Sequence, residues 1–235
     1  MSYIIALHIR EGLVMASDSR ISFTDTINNP DGSKTIKLGA HISDSTQKTF
    51  LTPSNVGISW CGDSAINNKH INRYIENFIK KHGDEDVETI KDSLISYFTN
   101  LTTNLNTIFF VGGYINESGC ISQRLYSIKT ISREVKSIDT SDQGAICDGE
   151  ADIMLRILNQ NVYCKTDDKY NEIVSYPILW QYFTLQDAID FARYAVKTTI
   201  DTMKFQARVK TVGGSIDILV IKPIEAFWIE KRQLQ

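Results

Sequence analysis

The sequence predicts an α+β fold in which two antiparallel β-sheets are each covered by a pair of helices. Apolar, β-branched runs and segments of helical periodicity follow one another in the order strands, two helices, strands, two helices, strands. Helices that come in pairs between antiparallel strands favour separate helical layers. A chain of 235 residues with 42% apolar content can bury one large core. No linker-like or repeated segment interrupts it, so we expect a single domain over residues 1–235.

The first part of the chain is predicted to form strands. Tyr3–Ile9 is apolar and β-branched, and a short turn separates it from a second apolar run, Leu13–Ser17, which indicates a hairpin. Polar sequence with an excursion around Asn28–Gly32 follows. A further pair of strands is predicted at Lys48–Leu51 and Val56–Trp60.

Two helices and three strands are predicted next. Apolar residues recur at helical spacing from about Ser64 to Lys81, and again on one face from about Asp86 to Leu105. The strands that follow are expected at Thr107–Ile115, Gln123–Ile128 and Glu134–Ile138.

The last third of the chain repeats this order. One helix is predicted near Ala151–Leu158, and another from a Thr184 cap, with Asp187 three residues on, to about Thr199. Alternating, β-branched sequence then predicts closing strands at Ser215–Lys222 and Ala226–Glu230.

Composition argues against several classes of function. The net charge of −3 is spread without runs, which gives no electrostatic footprint for nucleic acid or an anionic membrane. No leader sequence or membrane-length apolar run is present, so we expect a cytoplasmic protein. The four cysteines have no metal-ligand spacing among themselves or with the four histidines. We therefore expect neither a metal nor a cofactor.

Four stretches resemble, in order and spacing, the proteasome β-type family. They are Ser2–Ala6, Gly12–Arg20, Lys48–Phe50 together with Gly57–Asp63, and Val212–Ile221. Two further segments, Phe110–Tyr114 and Thr184–Ala188, extend the resemblance through the middle of the chain. The resemblance implies a four-layer αββα sandwich, the fold of N-terminal-nucleophile hydrolases, which agrees with the element order read from the sequence.

The same resemblance implies a catalytic group. The family's nucleophile position falls on Ser2, which becomes the N-terminus if Met1 is removed. A terminal α-amine, with a pKa of roughly 7.7–8.0, can then act as the base for the hydroxyl beside it. The positions of the family's lysine and carboxylate fall on Lys48, expected to lower the pKa of both groups, and on Asp18, expected to hold Lys48. We expect Lys48→Ala to abolish hydrolysis and leave the fold intact.

Three further residues complete the implied site. The backbone N–H of Gly62, at a strand-to-helix turn, is the candidate oxyanion donor. The resemblance also assigns Trp60 and Ile21 to substrate binding, with Trp60 at the floor of a shallow pocket that would favour small side chains. A role for Trp60 in the core is an equally good interpretation.

The sequence departs from the family where polar side chains normally support the nucleophile. Cys147–Gly149 stands in place of a Gly-Ser-Gly turn, and Val209 and Val212 stand where the family has polar residues. Such supporting hydrogen bonds fix the geometry of a nucleophile, so their loss puts activity in question. Asp148 and Thr211 are the candidate substitutes.

Three functions are compatible with these residues. The leading hypothesis is a peptidase that acts on peptide or protein substrates within a homo-oligomeric ring or stacked assembly, since the resembling subunits assemble in that way. The second is a catalytically silent structural subunit, and the third is a small-molecule amidohydrolase of the same class. The sequence does not identify a regulatory ATPase, the ring size or the natural substrate.

Overall fold

The computed structural model describes residues 2–29, 31–158, 162–174 and 176–232. Met1, and Pro30 within the predicted excursion, lie outside the described residues. The strands are β1 (Tyr3–Ile9), β2 (Gly12–Asp18), β3 (Ile21–Asn28), β4 (Lys34–Ser43), β5 (Thr49–Leu51), β6 (Gly57–Gly62), β7 (Ala65–Ile66), β8 (Lys69–His70), β9 (Thr107–Glu117), β10 (Cys120–Lys129), β11 (Glu134–Ser137), β12 (Gly144–Gly149), β13 (Val162–Thr166), β14 (Lys169–Ile173), β15 (Ile216–Ile221) and β16 (Ala226–Glu230). The helices are α1 (Ile71–His82), α2 (Val87–Leu101), α3 (Asp152–Leu158) and α4 (Leu185–Phe205).

Two five-stranded sheets form the centre of the fold. The first has the strand order β12-β1-β2-β15-β16 and the second β11-β10-β9-β6-β5. Every pairing in both sheets is antiparallel. Three two-stranded ribbons, β3-β4, β7-β8 and β13-β14, lie outside these sheets. The predicted α+β class with antiparallel sheets is confirmed.

Side-chain alternation along the strands divides the core into three clusters. In β1, Tyr3 and Ile5 pack with residues of α3 and α4, whereas Ile4 and Ala6 pack with Cys61 and other residues of the second sheet. A separate cluster joins the second sheet to α1 and α2. Each sheet therefore buries one face against helices and contributes the other face to a cluster built from strands of both sheets.

The first helix begins later than its periodicity predicts. The helical pattern suggested a start near Ser64, but α1 begins at Ile71. The intervening residues form the small ribbon β7-β8, whose turn residues Asn67 and Asn68 have φ of 50° and 59°. Asparagine tolerates this left-handed region, and two such residues in sequence make the tight turn of a two-residue hairpin. The turn therefore overrides the helical pattern.

Other boundaries follow local signals. The capping box predicted at Thr184 and Asp187 is present, and α4 continues from it to Phe205, six residues beyond the predicted end. Helix α2 begins at Val87, one residue after the predicted start, with Asp86 as its cap, and ends at Leu101, four residues before the predicted end. None of the described helices is long and apolar enough to cross a membrane.

Candidate active site

Ser2 lies at the start of β1, in a pocket between the two sheets. The pocket has a volume of about 250 Å³, and its lining residues are Ser2, Cys61, Gly62, Asn106, Ile108, Gly149 and Glu150. Ser2 is only 1% exposed. Its carbonyl oxygen accepts a hydrogen bond of 2.8 Å from the backbone N–H of Glu150, so the end of β12 fixes the backbone at Ser2.

Lys48 and Asp18 form a buried ion pair. The Nζ of Lys48 lies 2.6 Å from Oδ1 of Asp18, and both side chains are 0% exposed. Nζ also donates to the carbonyl oxygen of Arg20 at 2.5 Å. Burial lowers the pKa of Lys48 below its ordinary value, because removing an ammonium from water disfavours the charged form, while Asp18 acts in the opposite direction.

The carboxylate of Asp18 connects four separate parts of the chain. Oδ1 accepts a hydrogen bond from the backbone N–H of Tyr3 at 3.0 Å and another from Nζ of Lys48. Oδ2 accepts from the backbone N–H groups of Arg20 at 3.1 Å and Gly213 at 3.0 Å. Four donors on two oxygens hold the carboxylate in one orientation. Asp18 therefore fixes Lys48 relative to the residue that follows Ser2.

Gly62 lies in the Ser2 pocket and requires glycine. Its φ is +113°, a conformation that L side chains rarely adopt, and a Cβ at this position would lie 2.3 Å from the carbonyl oxygen of Asn106. The structure thus brings Ser2 and Gly62 into one pocket, and joins Asp18 and Lys48 to the same end of β1 through Tyr3.

Trp60 and Ile21 lie away from this pocket. Both are buried in the cluster that joins the second sheet to α1 and α2, and Trp60 is 0% exposed. The indole Nε1–H of Trp60 donates to the carbonyl oxygen of Gln47 at 3.0 Å. Successive side chains of a strand face opposite sides of the sheet, so Cys61 lines the pocket and Trp60 faces the helices. In this structure neither predicted substrate-binding residue offers a surface to a ligand at Ser2.

The two candidate supporting residues make hydrogen bonds elsewhere. Oδ1 of Asp148 accepts from the backbone N–H of Gly149 at 2.7 Å. Oγ1 of Thr211 donates to Oε1 of Glu150 at 2.9 Å. Within the described part of the chain, neither side chain hydrogen-bonds to Ser2 or Lys48.

Glu150 is a site residue that sequence reasoning missed. It lines the Ser2 pocket, its N–H binds the Ser2 carbonyl, and its carboxylate takes the hydrogen bond of Thr211 and lies 3.4 Å from Nη1 of Arg208. Its position could have indicated a role, because Glu150 directly follows the Cys147–Gly149 turn, where the sequence departs from the family pattern.

Cys61 is the second potential nucleophile in the pocket. It is 1% exposed, and burial, assisted by the negative charge of Asp148, raises the pKa of its thiol well above the ordinary value. A thiol that stays protonated at neutral pH is a poor nucleophile, so Cys61 is not activated in this pocket. Among the described residues, no group of three or more His, Cys, Asp or Glu side chains is placed to hold a metal ion.

Comparison with known proteins identifies the fold. No protein-family model matches the chain, and no curated protein matches it by sequence. Among solved structures, a Gly-1 mutant of Anbu from Hyphomicrobium sp. strain MC1 superposes with a TM-score of 0.61 at 15% identity, covering 97% of this chain and 85% of the other. Anbu from Yersinia bercovieri, described as an ancestral beta-subunit, gives a TM-score of 0.58 at 16% identity, covering 98% and 88%.

The chain has the fold of Anbu. The similarity of fold covers 97–98% of the chain. At 15–16% identity the similarity extends to the fold and carries no assignment of activity.

Proposed function

We propose that this chain is an N-terminal-nucleophile peptidase of proteasome type, built as one domain with a four-layer αββα sandwich. The layers are inferred from the three core clusters, two of which join a sheet to a helix pair while the third joins the sheets to each other. The observation that supports the function is that Oδ1 of Asp18 binds both Nζ of the buried Lys48 and the backbone N–H of Tyr3, the residue after Ser2.

The proposed mechanism begins when removal of Met1 frees the amine of Ser2. The amine takes the proton of the Ser2 hydroxyl as the oxygen attacks the carbonyl carbon of a peptide bond. An ammonium has three N–H donors, and two of those on Lys48 have acceptors among the described residues. In the proposed mechanism the third donates to the Ser2 hydroxyl when substrate is bound. Its lowered pKa brings Lys48 closer to the range in which it exchanges protons near neutral pH.

The later steps use the same groups. The N–H of Gly62 stabilises the negative charge that develops on the substrate oxygen. The amine of Ser2 gives its proton to the departing amide nitrogen, the C–N bond breaks, and an acyl ester remains on Ser2. The freed amine then takes a proton from water as the water oxygen attacks the ester carbon. It returns that proton to the Ser2 oxygen as the C–O bond breaks, which releases the acid and restores the hydroxyl.

A silent structural subunit is the second candidate. It is favoured by the valines at positions 209 and 212 and by the hydrogen bonds of Asp148 and Thr211, which go to Gly149 and Glu150. One Anbu structure is described as an ancestral beta-subunit. For both candidates we propose that this chain also assembles into a homo-oligomer. A small-molecule amidohydrolase is the third candidate, and a cytoplasmic location is proposed for all three.

Ser2→Ala is the direct test of the nucleophile. We expect peptide hydrolysis to fall by a factor on the order of 10³ or more, because no other nucleophile in the pocket is activated. The measurement is turnover of a panel of peptides and simple amides by protein whose intact mass shows that Met1 is absent. Light scattering on the same samples reports assembly.

Ser96→Ala provides the matched control, because the hydroxyl of Ser96 is exposed on α2 and bonds only to the carbonyl oxygen of Asp92 among the described residues. Its turnover should equal that of the wild-type protein. Equal turnover by Ser2→Ala would exclude the proposed mechanism. An assembled protein that retains Met1 and cleaves no substrate would instead support the structural subunit.

A further inference from the structure

The peptide group that joins Ser2 to Tyr3 is held from two sides. The N–H of Tyr3 donates to Oδ1 of Asp18 at 3.0 Å. The carbonyl oxygen of Ser2 accepts from the backbone N–H of Glu150 at 2.8 Å. Asp18 ends β2 and Glu150 follows β12, so the two partners come from the strands on either side of β1. The orientation of this peptide group, and with it the place of the candidate nucleophile, depends on both partners.

A single segment between α4 and β15 binds both partners. The backbone N–H of Gly213 donates to Oδ2 of Asp18 at 3.0 Å. Two residues earlier, Oγ1 of Thr211 donates to Oε1 of Glu150 at 2.9 Å. Thr211 is 2% exposed and the side chain of Glu150 is 15% exposed, so this hydrogen bond to a carboxylate is largely withdrawn from water. The segment therefore connects the two groups that hold the peptide group after Ser2.

The side chain of Glu150 anchors the turn that ends β12. The other carboxylate at this turn, that of Asp148, accepts a hydrogen bond from the N–H of Gly149 at 2.7 Å, which lies within the turn itself. Gly149 has φ of +85° and no side chain with which to bond. Of the two carboxylates, only that of Glu150 therefore ties the turn to another element in the described part of the chain.

Arg208 is a weaker partner of Glu150 than Thr211 is. Its Nη1 lies 3.4 Å from Oε2 of Glu150, but Nη1 and Nη2 are both closer to Oδ1 of Asp152, at 3.0 and 3.1 Å. One guanidinium thus serves two carboxylates, and its shorter bonds go to Asp152. The hydroxyl of Thr211 makes the shortest side-chain bond to the carboxylate of Glu150 among the described residues.

We propose that Glu150 and Thr211 are positioning residues for the nucleophile. The Thr211 hydroxyl holds the Glu150 carboxylate, which in turn places the backbone N–H that binds the Ser2 carbonyl. Because the same segment also binds Asp18, a change at Thr211 should reach both sides of the peptide group after Ser2. The effect on catalysis rests on the proposed peptidase function. The effect on the peptide group does not, since it concerns these hydrogen bonds alone.

Thr211→Val tests the link, because valine has nearly the shape of threonine and lacks the hydroxyl. Hydrogen exchange of single amides measures how firmly the peptide group is held. We expect the amides of Glu150 and Tyr3 to exchange about tenfold faster or more, the change expected for loss of a hydrogen bond to a charged group. Thr211→Ser keeps the hydroxyl and should restore slow exchange at both amides.

A purely structural role predicts a different pattern. General loosening of the sheet would also speed exchange at His8 and Gly144, which face each other at the far end of the β1–β12 pairing. A similar acceleration at the amides of His8, Gly144, Tyr3 and Glu150 would overturn the proposal. Unchanged exchange at Tyr3 in folded Thr211→Val would overturn it as well.

Thr199→Val is the matched control. Thr199 is a buried threonine on α4 whose hydroxyl donates to the carbonyl oxygen of Ala195 at 2.9 Å. Its replacement should leave exchange at Tyr3 and Glu150 unchanged. Glu150→Ala is the second variant, for the case that Thr211→Val does not fold. It keeps the backbone N–H but removes the carboxylate, so it should speed exchange at Tyr3 in the same way.

Peptide hydrolysis by the same variants separates this proposal from the proposed function. If hydrolysis occurs, Thr211→Val should lower kcat about tenfold with little change in KM, because a displaced nucleophile weakens the transition state and leaves substrate binding intact. Thr211→Ser should restore kcat. Faster exchange at Tyr3 in a protein that cleaves no peptide would support the anchor and count against the peptidase. Hydrolysis by Thr211→Val at the wild-type rate would support the peptidase and overturn the positioning role.

Discussion

Lys48→Ala is expected to lower the free energy of unfolding by about 3–5 kcal/mol at neutral pH, in addition to abolishing hydrolysis. Lys48 and Asp18 are both 0% exposed, so alanine leaves a buried carboxylate without its ammonium and a cavity where the long side chain was. Sequence reasoning expected this variant to keep the fold intact. Burial changes that expectation, and the three backbone N–H groups that remain on Asp18 place the expected loss at the lower end of the range.

Denaturant unfolding at neutral pH measures the effect. Lys48→Met also leaves the carboxylate without its ammonium but keeps most of the side-chain volume, so it should be more stable than Lys48→Ala. Lys197→Ala is the matched control for loss of a lysine, because Lys197 pairs with Asp201 on the exposed face of α4. It should change stability by less than about 1 kcal/mol. A Lys48→Ala protein as stable as the Lys197→Ala protein would contradict the buried ion pair.

Elements with strong local signals were predictable. The β1–β2 hairpin, the start of α2 near Asp86 and the capping box at Thr184 each depend on residues close together in sequence. The small ribbon before α1 was missed because its signal, two consecutive asparagines, is weaker than the surrounding helical periodicity.

Strand β12 could not be predicted in the same way. Its residues, Gly144–Gly149, contain two glycines and an aspartate, which are poor strand formers. They form a strand because they pair with the edge of β1, from which they are distant in sequence. Strand β12 therefore forms because of tertiary contacts, and its local sequence does not predict it.

The same distinction between local signals and tertiary contacts applies to the candidate site. Ser2, Asp18, Lys48 and Gly62 were predicted because a resemblance in four stretches supplied their register. Glu150 was not predicted, since its contacts join elements that are remote in the chain. For Trp60 the sequence left a pocket floor and a core role open, because one step along β6 decides whether a side chain faces the pocket or the helices.

Gly149→Ala should damage both the fold and the site. Gly149 lies opposite Tyr3 in the β1–β12 register, with φ of +85°. A Cβ at this position would lie 1.9 Å from the carbonyl oxygen of Ser2 and 2.9 Å from its carbonyl carbon. The contact is with backbone, which cannot move aside without breaking the hydrogen bond from Glu150 to Ser2. We expect a loss of about 2–5 kcal/mol, the sum of left-handed strain and a close contact.

The same displacement should reduce hydrolysis by about a hundredfold or more, since a misplacement of roughly 1 Å at a nucleophile has an effect of this size. Unfolding in denaturant and turnover of the best peptide substrate measure the two effects. Hydrogen exchange of the β1 and β12 amides locates the damage, which should be confined to the pairing around Ser2.

Gly119→Ala separates the contact with Ser2 from the backbone strain. Gly119 has φ of +89°, close to that of Gly149, but a Cβ there meets nothing within 4 Å. Alanine at this position therefore carries only the left-handed strain, about 1–2 kcal/mol, and should leave turnover unchanged. The difference in stability and in turnover between the two variants measures how much the contact of β12 with the backbone of Ser2 contributes. Equal stability and equal turnover would mean that the end of β12 does not position the nucleophile.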